Sequence, residues 1–478
     1  MNTTAQLGPP AAAYHAGVRA AALARALVAA AAAVGVVSGL VVLHTAPPPA
    51  APAVAQRGVD SGVAAEQGRV GIGAAQATAQ RVVAVEQLLR VWAQAVRGDD
   101  TAVLDSLMDP SADPAFVTAE ASRAANLAGV PLSDWGYELG SDPAAVVPPT
   151  LTESLHADEV WAPPVVLRYA VAGADDTPTR KPVGLVLARR GDQWRLVSDA
   201  ALTNYGRTTW RGPWDFGPVV ARSTPQGVVL GHPGREQELD SVAQQLVTAV
   251  PAVTQFWGQA WPQRALVLLA DSRPELESLV GKDFAGVGVA AVTTADAVNR
   301  AAGTATGVRV VFNPTVMDQL TAVTLRIVLR HELTHAAARS VTLDQAPLWM
   351  LEGFADYSGY RGSDISVTQG APAVAALVRS AGPPDSLPTD ADFSPTGPPN
   401  RAELAYQLSW TFAVFLAQNR GEDVLTKVYR AVAALPSPTT AQLDAAVGPV
   451  LGAPLDTLVG EWGQWLKQQV GAAPTAGR

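Results

Sequence analysis

One predicted helix constrains this chain more than any other feature, because it places charged and polar side chains in an apolar setting. Residues 321–339 have helical apolar spacing, with Ile327 and Val328 ahead of the segment His331-Glu332-Leu333-Thr334-His335. Positions i and i+4 of a helix lie on one face, one turn apart. Two buried imidazoles without partners are unfavourable. Because one metal ion satisfies both, the sequence predicts a metal site on a buried helix.

Zinc is the metal that this spacing favours. Two imidazoles one helical turn apart can both bind the same zinc ion, each at about 2.0–2.1 Å. Glu332 follows His331 directly, so it can reach a water molecule at the metal without itself binding the metal. The chain has six histidines in all, and two of them fall in this pattern.

A catalytic zinc site needs a third protein ligand and an open coordination position. Residues 347–357 begin with Pro347, which suits the first turn of a new helix, and carry Glu352 and Asp356 one turn apart. We predict that His331, His335 and Glu352 bind one Zn²⁺ and that Asp356 accepts a hydrogen bond from a ligand histidine. The reverse assignment, in which Asp356 binds the metal and Glu352 supports a ligand without binding the metal, remains open.

The two segments together resemble a known class of enzyme. H-E-x-x-H followed by W-x-x-E-G-x-A-x-Y resembles the gluzincin metallopeptidases, and more closely the bacterial peptidase MA-like group. The resemblance extends to VRVVFNP at 308–314 and AYQLSWTFAVFLAQNRG at 405–421. A metzincin would need glycine and histidine where Ala338 and Val341 stand. The Gly-x-Met-Glu-Asn element of gluzincin aminopeptidases is absent from the sequence, which argues against aminopeptidase activity.

This resemblance implies a fold and a reaction for residues 219–478. The fold would be α+β, a thermolysin-like catalytic domain with a mixed sheet and a helical C-terminal subdomain. The reaction would be hydrolysis of a peptide or protein substrate through a zinc-bound water, with Glu332 as the general base. The resemblance also implies an oxyanion donor on a downstream helix. Tyr406 is our candidate, with Tyr357 and Tyr360 as rivals. The strand at 308–312 would be the sheet edge that pairs with extended substrate.

A smaller domain is predicted at residues 78–205. Helical periodicity at 80–96 and 101–108 precedes strands at 165–171, 183–188 and 194–197, with a turn at 190–192. Helices followed by an antiparallel sheet indicate an α+β domain. The pattern resembles the NTF2-like fold and carries no evident chemistry. Residues 206–218 show no periodicity and are predicted as a linker. Residues 363–399, rich in Pro, Asp, Ser and Gly, are predicted as a loop.

The N-terminal region predicts membrane attachment. Arg19 and Arg25 precede an uncharged apolar run at 26–43, and no acidic residue occurs before Asp60. We predict a transmembrane helix at 21–43, a cytoplasmic tail at 1–20 and an Ala/Pro-rich spacer at 44–77. The folded part would then lie outside the cell membrane. A signal peptide cleaved at 53–55 is the alternative, and it also exports the chain.

Composition excludes several function classes. The chain contains no cysteine, so disulfides, thiol catalysis and cysteine-based zinc sites are ruled out. The net charge of −9 gives no basis for a nucleic-acid partner. A second function remains open from the sequence alone, a zinc-stabilised binding or sensor protein at the cell surface without catalytic activity.

Overall fold

The computed structural model describes residues 63–282, 289–394, 397–398 and 400–471, with side chains from residue 76 onward. The predicted tail at 1–20, the transmembrane helix at 21–43 and most of the spacer lie outside the described residues. None of the helices within these described ranges combines the length and apolarity that crossing a bilayer requires. The end of the predicted spacer belongs to the first helix, α1 (Val63–Gly98), which begins well before the predicted residue 80. Alanine, the best helix former, is the most frequent residue in this stretch.

The first part of the chain combines short helices with two small antiparallel sheets. One sheet has the order β1-β3-β4 and the other β2-β5-β6. The predicted turn at 190–192 joins β5 to β6, where Gly191 adopts a positive φ of 59°. The elements after α1 are α2 (Thr101–Leu107), α3 (Pro114–Asn126), β1 (Leu132–Leu139), α4 (Pro149–Leu155), β2 (Glu159–Trp161), β3 (Val165–Val171), β4 (Thr179–Val183), β5 (Val186–Arg190) and β6 (Gln193–Ser198).

The second part is built on a five-stranded mixed sheet of order β10-β13-β9-β8-β7. Strands β8, β9 and β13 run parallel, while β7 and β10 are antiparallel to their neighbours. Its elements are β7 (Val220–Thr224), β8 (Gly227–Gly231), α5 (Glu236–Trp257), β9 (Ala265–Leu269), α6 (Arg273–Val280), β10 (Ala291–Thr294), the hairpin β11 (Ala297–Asn299) and β12 (Thr304–Thr306), and β13 (Arg309–Phe312).

Helices follow the sheet to the end of the described chain. They are α7 (Pro314–Met317), α8 (Ala322–Ala338), α9 (Leu348–Tyr360), α10 (Val367–Gly370), α11 (Pro372–Ser380), α12 (Arg401–Arg420), α13 (Glu422–Val432), α14 (Thr440–Leu451) and α15 (Leu455–Gly471). The prediction of a mixed α+β fold with a helical C-terminal region is therefore confirmed. The loop prediction for 363–399 is wrong, because α10 and α11 form there.

The five-stranded sheet separates two hydrophobic cores. Side chains alternate between the faces of a strand. On β13, Val310 and Phe312 join a core with the following helices, whereas Val311 joins a core with the first part of the chain. On β10, Ala291 joins the core with the helices, and Val292 joins the core with the first part of the chain. We call these surfaces the helix face and the N-terminal face of the sheet.

The two parts of the chain share the core on the N-terminal face. Trp214, from the predicted linker at 206–218, is buried in it, with its ring edge-on to Trp135 and Tyr169. Ion pairs, one buried and one half-buried, cross the same boundary. The guanidinium of Arg309 donates to both oxygens of Asp175 at 2.7 and 2.9 Å, and Lys181 pairs with Asp296. The division into domains stays a prediction, and so do the NTF2-like and thermolysin-like assignments.

The predicted substrate strand at 308–312 is not at the sheet edge. It corresponds to β13, which hydrogen-bonds to β10 on one side and to β9 on the other. Among the described residues, β10 is the edge strand on this side. The prediction was wrong because β10 is a short strand that folds back antiparallel, and adjacency in sequence to the metal helix does not reveal strand order.

Candidate metal centre

Helix α8 brings the predicted metal ligands into the interior. It begins with a reciprocal cap in which the Thr321 hydroxyl accepts from Thr324 N at 3.2 Å and the Thr324 hydroxyl accepts from Thr321 N at 2.8 Å. The helix then packs between α5, α9 and strand β10. Contact on several sides buries almost the whole of its second half, including His331, Glu332 and His335.

Two glycines allow α9 to approach its neighbours closely. A Cβ at Gly359 would lie 2.8 Å from the carbonyl oxygen of Ile327 on α8. A Cβ at Gly353 would lie 2.4 Å from the carbonyl oxygen of Ser409 on α12. Contacts this short exclude any side chain there. The helices can therefore pack backbone to backbone, which carries Glu352 to the two histidines.

The three predicted ligands converge on one point. Nε2 of His331 lies 3.0 Å from Nε2 of His335. The carboxylate oxygens of Glu352 lie 3.4 Å from the first of these nitrogens and 3.7 Å from the second. Ligands about 2.0–2.1 Å from a tetrahedral ion are about 3.3–3.4 Å apart. The three side chains therefore form a group that could hold a metal ion.

The state of Glu352 supports a bound cation. The side chain is fully buried, and neither oxygen accepts a hydrogen bond of good geometry from any residue that the structure describes. Burial opposes ionisation, yet the neighbouring histidines lower the pKa of Glu352 to about 2. A buried carboxylate that stays ionised needs a positive charge beside it, which protonated histidines supply here and which a bound cation would supply in their place. The donor set of two imidazoles and one carboxylate fits zinc.

Asp356 lies on the far side of His331 from this point. Its Oδ1 is 2.8 Å from Nδ1 of His331, which leaves Nε2 directed toward His335 and Glu352. Burial lowers the pKa of His331, but Asp356 and Glu352 together raise it well above the ordinary value. The geometry therefore favours Glu352 as the ligand and Asp356 as the residue that orients His331, rather than the reverse assignment.

Glu332 extends toward the sheet rather than toward Glu352. Its Oε2 lies 2.6 Å from the hydroxyl of Thr293 on β10, and the side chain is fully buried. Burial raises the pKa of Glu332 above its ordinary value, although His331 and His335 act in the opposite direction. Sequence reasoning missed Thr293. The available signal was the position of Thr293: of the two threonines in the strand Ala291–Thr294, it shares the side-chain alternation of Ala291, which faces the helices.

The three candidate tyrosines have different surroundings. Tyr406 is buried on α12 against the ring of Phe393, and its pKa is raised well above the ordinary value by burial and by Glu352, Asp356 and Glu332. Tyr357 instead donates its hydroxyl to Glu422 at 2.8 Å. Tyr360 packs against Trp410.

The raised pKa values separate these candidates further. The pKa of Tyr406 is raised by three carboxylates, those of Glu352, Asp356 and Glu332. Among the carboxylates, Asp356 alone raises the pKa of Tyr360.

Comparison with known proteins assigns no family to this chain. No family model matches its sequence, and no curated protein matches it.

Proposed function

We propose that this protein is a zinc-dependent metallopeptidase of the gluzincin type. The observation that carries the proposal is the convergence of His331, His335 and Glu352 beside a second buried carboxylate, Glu332. A purely structural zinc site has no need of that fourth group, because its ligands are complete. A hydrolytic site needs it as a proton acceptor.

Zinc held by these residues would polarise a scissile carbonyl and lower the pKa of water toward neutrality. The roles of the protein groups follow from their positions. Glu332 would accept the proton of the attacking water and pass it to the leaving amine, because its carboxylate interacts electrostatically with the candidate ligands without being one of them. Tyr406 donates a hydrogen bond to the developing oxyanion. Strand β10 offers unpaired backbone groups along the sheet edge to an extended substrate.

The proposal also covers the setting of the enzyme. The resemblance assigns a thermolysin-like fold to residues 219–478 and an NTF2-like fold to residues 78–205. The apolar run at 26–43 after Arg19 and Arg25 supports a single membrane anchor with an extracytoplasmic catalytic part. The substrate would be a peptide or protein that reaches the cell surface.

The decisive experiment compares the zinc-loaded protein with the Glu332→Gln variant on a peptide library. We expect the variant to retain one zinc ion per chain and to lose at least about a hundredfold in kcat, since proton transfer contributes about 10²–10⁴-fold. Glu86→Gln, a change at an exposed glutamate of α1, is the matched control and should cleave as the wild type does.

Equal cleavage by wild type and Glu332→Gln would rule out Glu332 as the general base, and with it the proposed mechanism. If neither protein cleaves any peptide although both hold zinc, the non-catalytic binding or sensor function is favoured instead.

A further inference from the structure

Thr293 occupies a position where an apolar residue would be expected. It is 3% exposed and lies on the helix face of β10, two residues after Ala291, which belongs to the apolar core there. Among the described strands β10 pairs with β13 alone, and Thr293 lies opposite Val310 in that register. Valine has the shape of threonine without the hydroxyl, so packing alone gives no reason for the polar atom.

The hydroxyl of Thr293 has two acceptors within reach, and both belong to Glu332. It lies 2.6 Å from the carboxylate oxygen Oε2 and 3.0 Å from the backbone carbonyl. A hydroxyl carries one hydrogen, so it donates to one acceptor at a time. The carbonyl is inside α8, where the helical pattern already supplies an amide donor. The carboxylate is charged and is closer, which makes it the stronger acceptor.

The other carboxylate oxygen of Glu332 has no such partner. Oε1 is buried and accepts no hydrogen bond from the residues that the structure describes. Thr293 therefore makes the two carboxylate oxygens of Glu332 different: Oε2 is hydrogen-bonded to the strand, and Oε1 stays available to accept a proton.

We infer that Thr293 is a positioning residue for the proposed peptidase reaction. By donating to Oε2, it holds the Glu332 carboxylate in one rotamer and leaves Oε1 to accept the proton of the attacking water. This inference rests on the proposed function. The hydrogen bond from Thr293 makes the orientation of the Glu332 carboxylate depend on strand β10. The strand proposed to offer backbone groups to the substrate therefore also orients the general base.

The surroundings of β10 suit it for this task. Its pairing with β13 fixes one side of the strand, and Asp296, two residues beyond its end, forms a half-buried ion pair with Lys181 of β4. The strand is thus fastened both to the sheet and to the first part of the chain. Because the strand is held in place, the hydroxyl of Thr293 is held in place as well. A general base such as Glu332 must stay close to its productive geometry to be efficient.

The test replaces Thr293 by valine and by serine in the zinc-loaded protein. Thr293→Val should lower kcat about 10–100-fold, since a hydrogen bond to a charged group is of that size. KM and the zinc content should stay within about twofold of the wild type. Thr293→Ser keeps the hydroxyl and should recover most of the activity. Thr411→Val is the matched control, because it removes another buried hydroxyl that bonds only to a backbone carbonyl.

Two further measurements separate positioning from a structural role. On the Glu332→Gln background, Thr293→Val should change the residual kcat by less than about twofold, because both changes remove the same function. A crystal structure of Thr293→Val should show the Glu332 carboxylate in a different rotamer. The inference is overturned if Thr293→Val retains the wild-type kcat, if it loses zinc or unfolds, or if Glu332 keeps its rotamer. Failure of the proposed function looks different, since wild type and Glu332→Gln then behave alike.

Discussion

The two faces of the five-stranded sheet bury charged groups in different ways. On the N-terminal face charged groups meet opposite charges, as the buried Arg309 meets Asp175 and the half-buried Lys181 meets Asp296. On the helix face His331, His335 and Glu352 direct their ligand atoms at one point, and the oxygens of Glu352 find no hydrogen-bond donor among the described residues. Both faces are otherwise packed with apolar side chains.

This difference distinguishes charged groups that stabilise the fold from charged groups that could hold a metal ion. Paired buried charges neutralise one another and need nothing further from outside the chain. Three buried side chains whose ligand atoms converge on one point, at spacings that suit a small ion, could instead hold a cation between them. The candidate site is therefore recognised by the convergence of three possible ligand atoms on one point rather than by burial alone.

The largest expected effect follows removal of the third ligand. Glu352→Ala should abolish peptide cleavage and weaken zinc binding at least about a hundredfold, because only two protein ligands remain. Zinc titration with a competing chelator measures this. Asp356→Ala is the comparison variant, and it should weaken binding about 10–100-fold, as loss of a hydrogen-bonded partner of a ligand does. A larger loss in Asp356→Ala than in Glu352→Ala would reverse the two assignments.

The second prediction tests the N-terminal face. Asp175→Asn leaves the buried guanidinium of Arg309 without a countercharge, so the free energy of unfolding should fall by about 3–5 kcal/mol. Asp176→Asn changes the next residue, whose partner Arg264 lies in a largely exposed pair, and should lower it by at most about 1 kcal/mol. Denaturant unfolding gives both values. Equal effects of the two changes would remove the distinction between buried and exposed pairs.

The third prediction concerns the packing that assembles the metal centre. Gly353→Ala places a Cβ 2.4 Å from a backbone oxygen of α12, and we expect a loss of about 3 kcal/mol in unfolding free energy together with weaker zinc binding. Gly460→Ala on α15 is the control, since no atom lies within 4 Å of the added Cβ. That change should raise the free energy of unfolding by up to about 1 kcal/mol. Unaltered zinc affinity in Gly353→Ala would show that Glu352 does not depend on this contact.

Local signals in the sequence were sufficient to predict the ligand set. His331, His335, Glu352 and Asp356 lie on two helices whose apolar spacing and i, i+4 intervals are visible in the sequence. The structure brings their side chains together as those intervals predict. Helical periodicity is a short-range property, so a single sequence reports it well.

Long-range relations could not be predicted in the same way. The sequence gives no direct sign of which strand neighbours which, and for that reason β13 was predicted as an edge and Thr293 was missed. Residues 206–218 show no periodicity, yet Trp214 is buried among rings from distant strands. Such contacts depend on tertiary packing, which overrides local preference.

The smallest expected effect is a pH dependence on the N-terminal side. The buried His232 has Nε2 3.0 Å from Glu275 and Nδ1 2.9 Å from the carbonyl of Pro218. Burial lowers the pKa of His232, but these two acceptors raise it above 6.5. A raised pKa in the folded state stabilises the protein below pH 6.5, and this stabilisation is lost as the pH rises through the raised value. Each unit of the shift contributes about 1.4 kcal/mol.

The measurement is urea unfolding of the zinc-free protein at pH 6 and pH 9. His232→Gln should lose less stability than the wild type between these pH values. Taking this difference cancels the contributions of other groups, His331 included. Glu275→Gln should also reduce the pH dependence, and the double variant should show no further reduction beyond that of His232→Gln. If His232→Gln keeps the full pH dependence, the pair contributes no net stabilisation, and buried pairs on the N-terminal face do not neutralise one another as the comparison of the two faces requires.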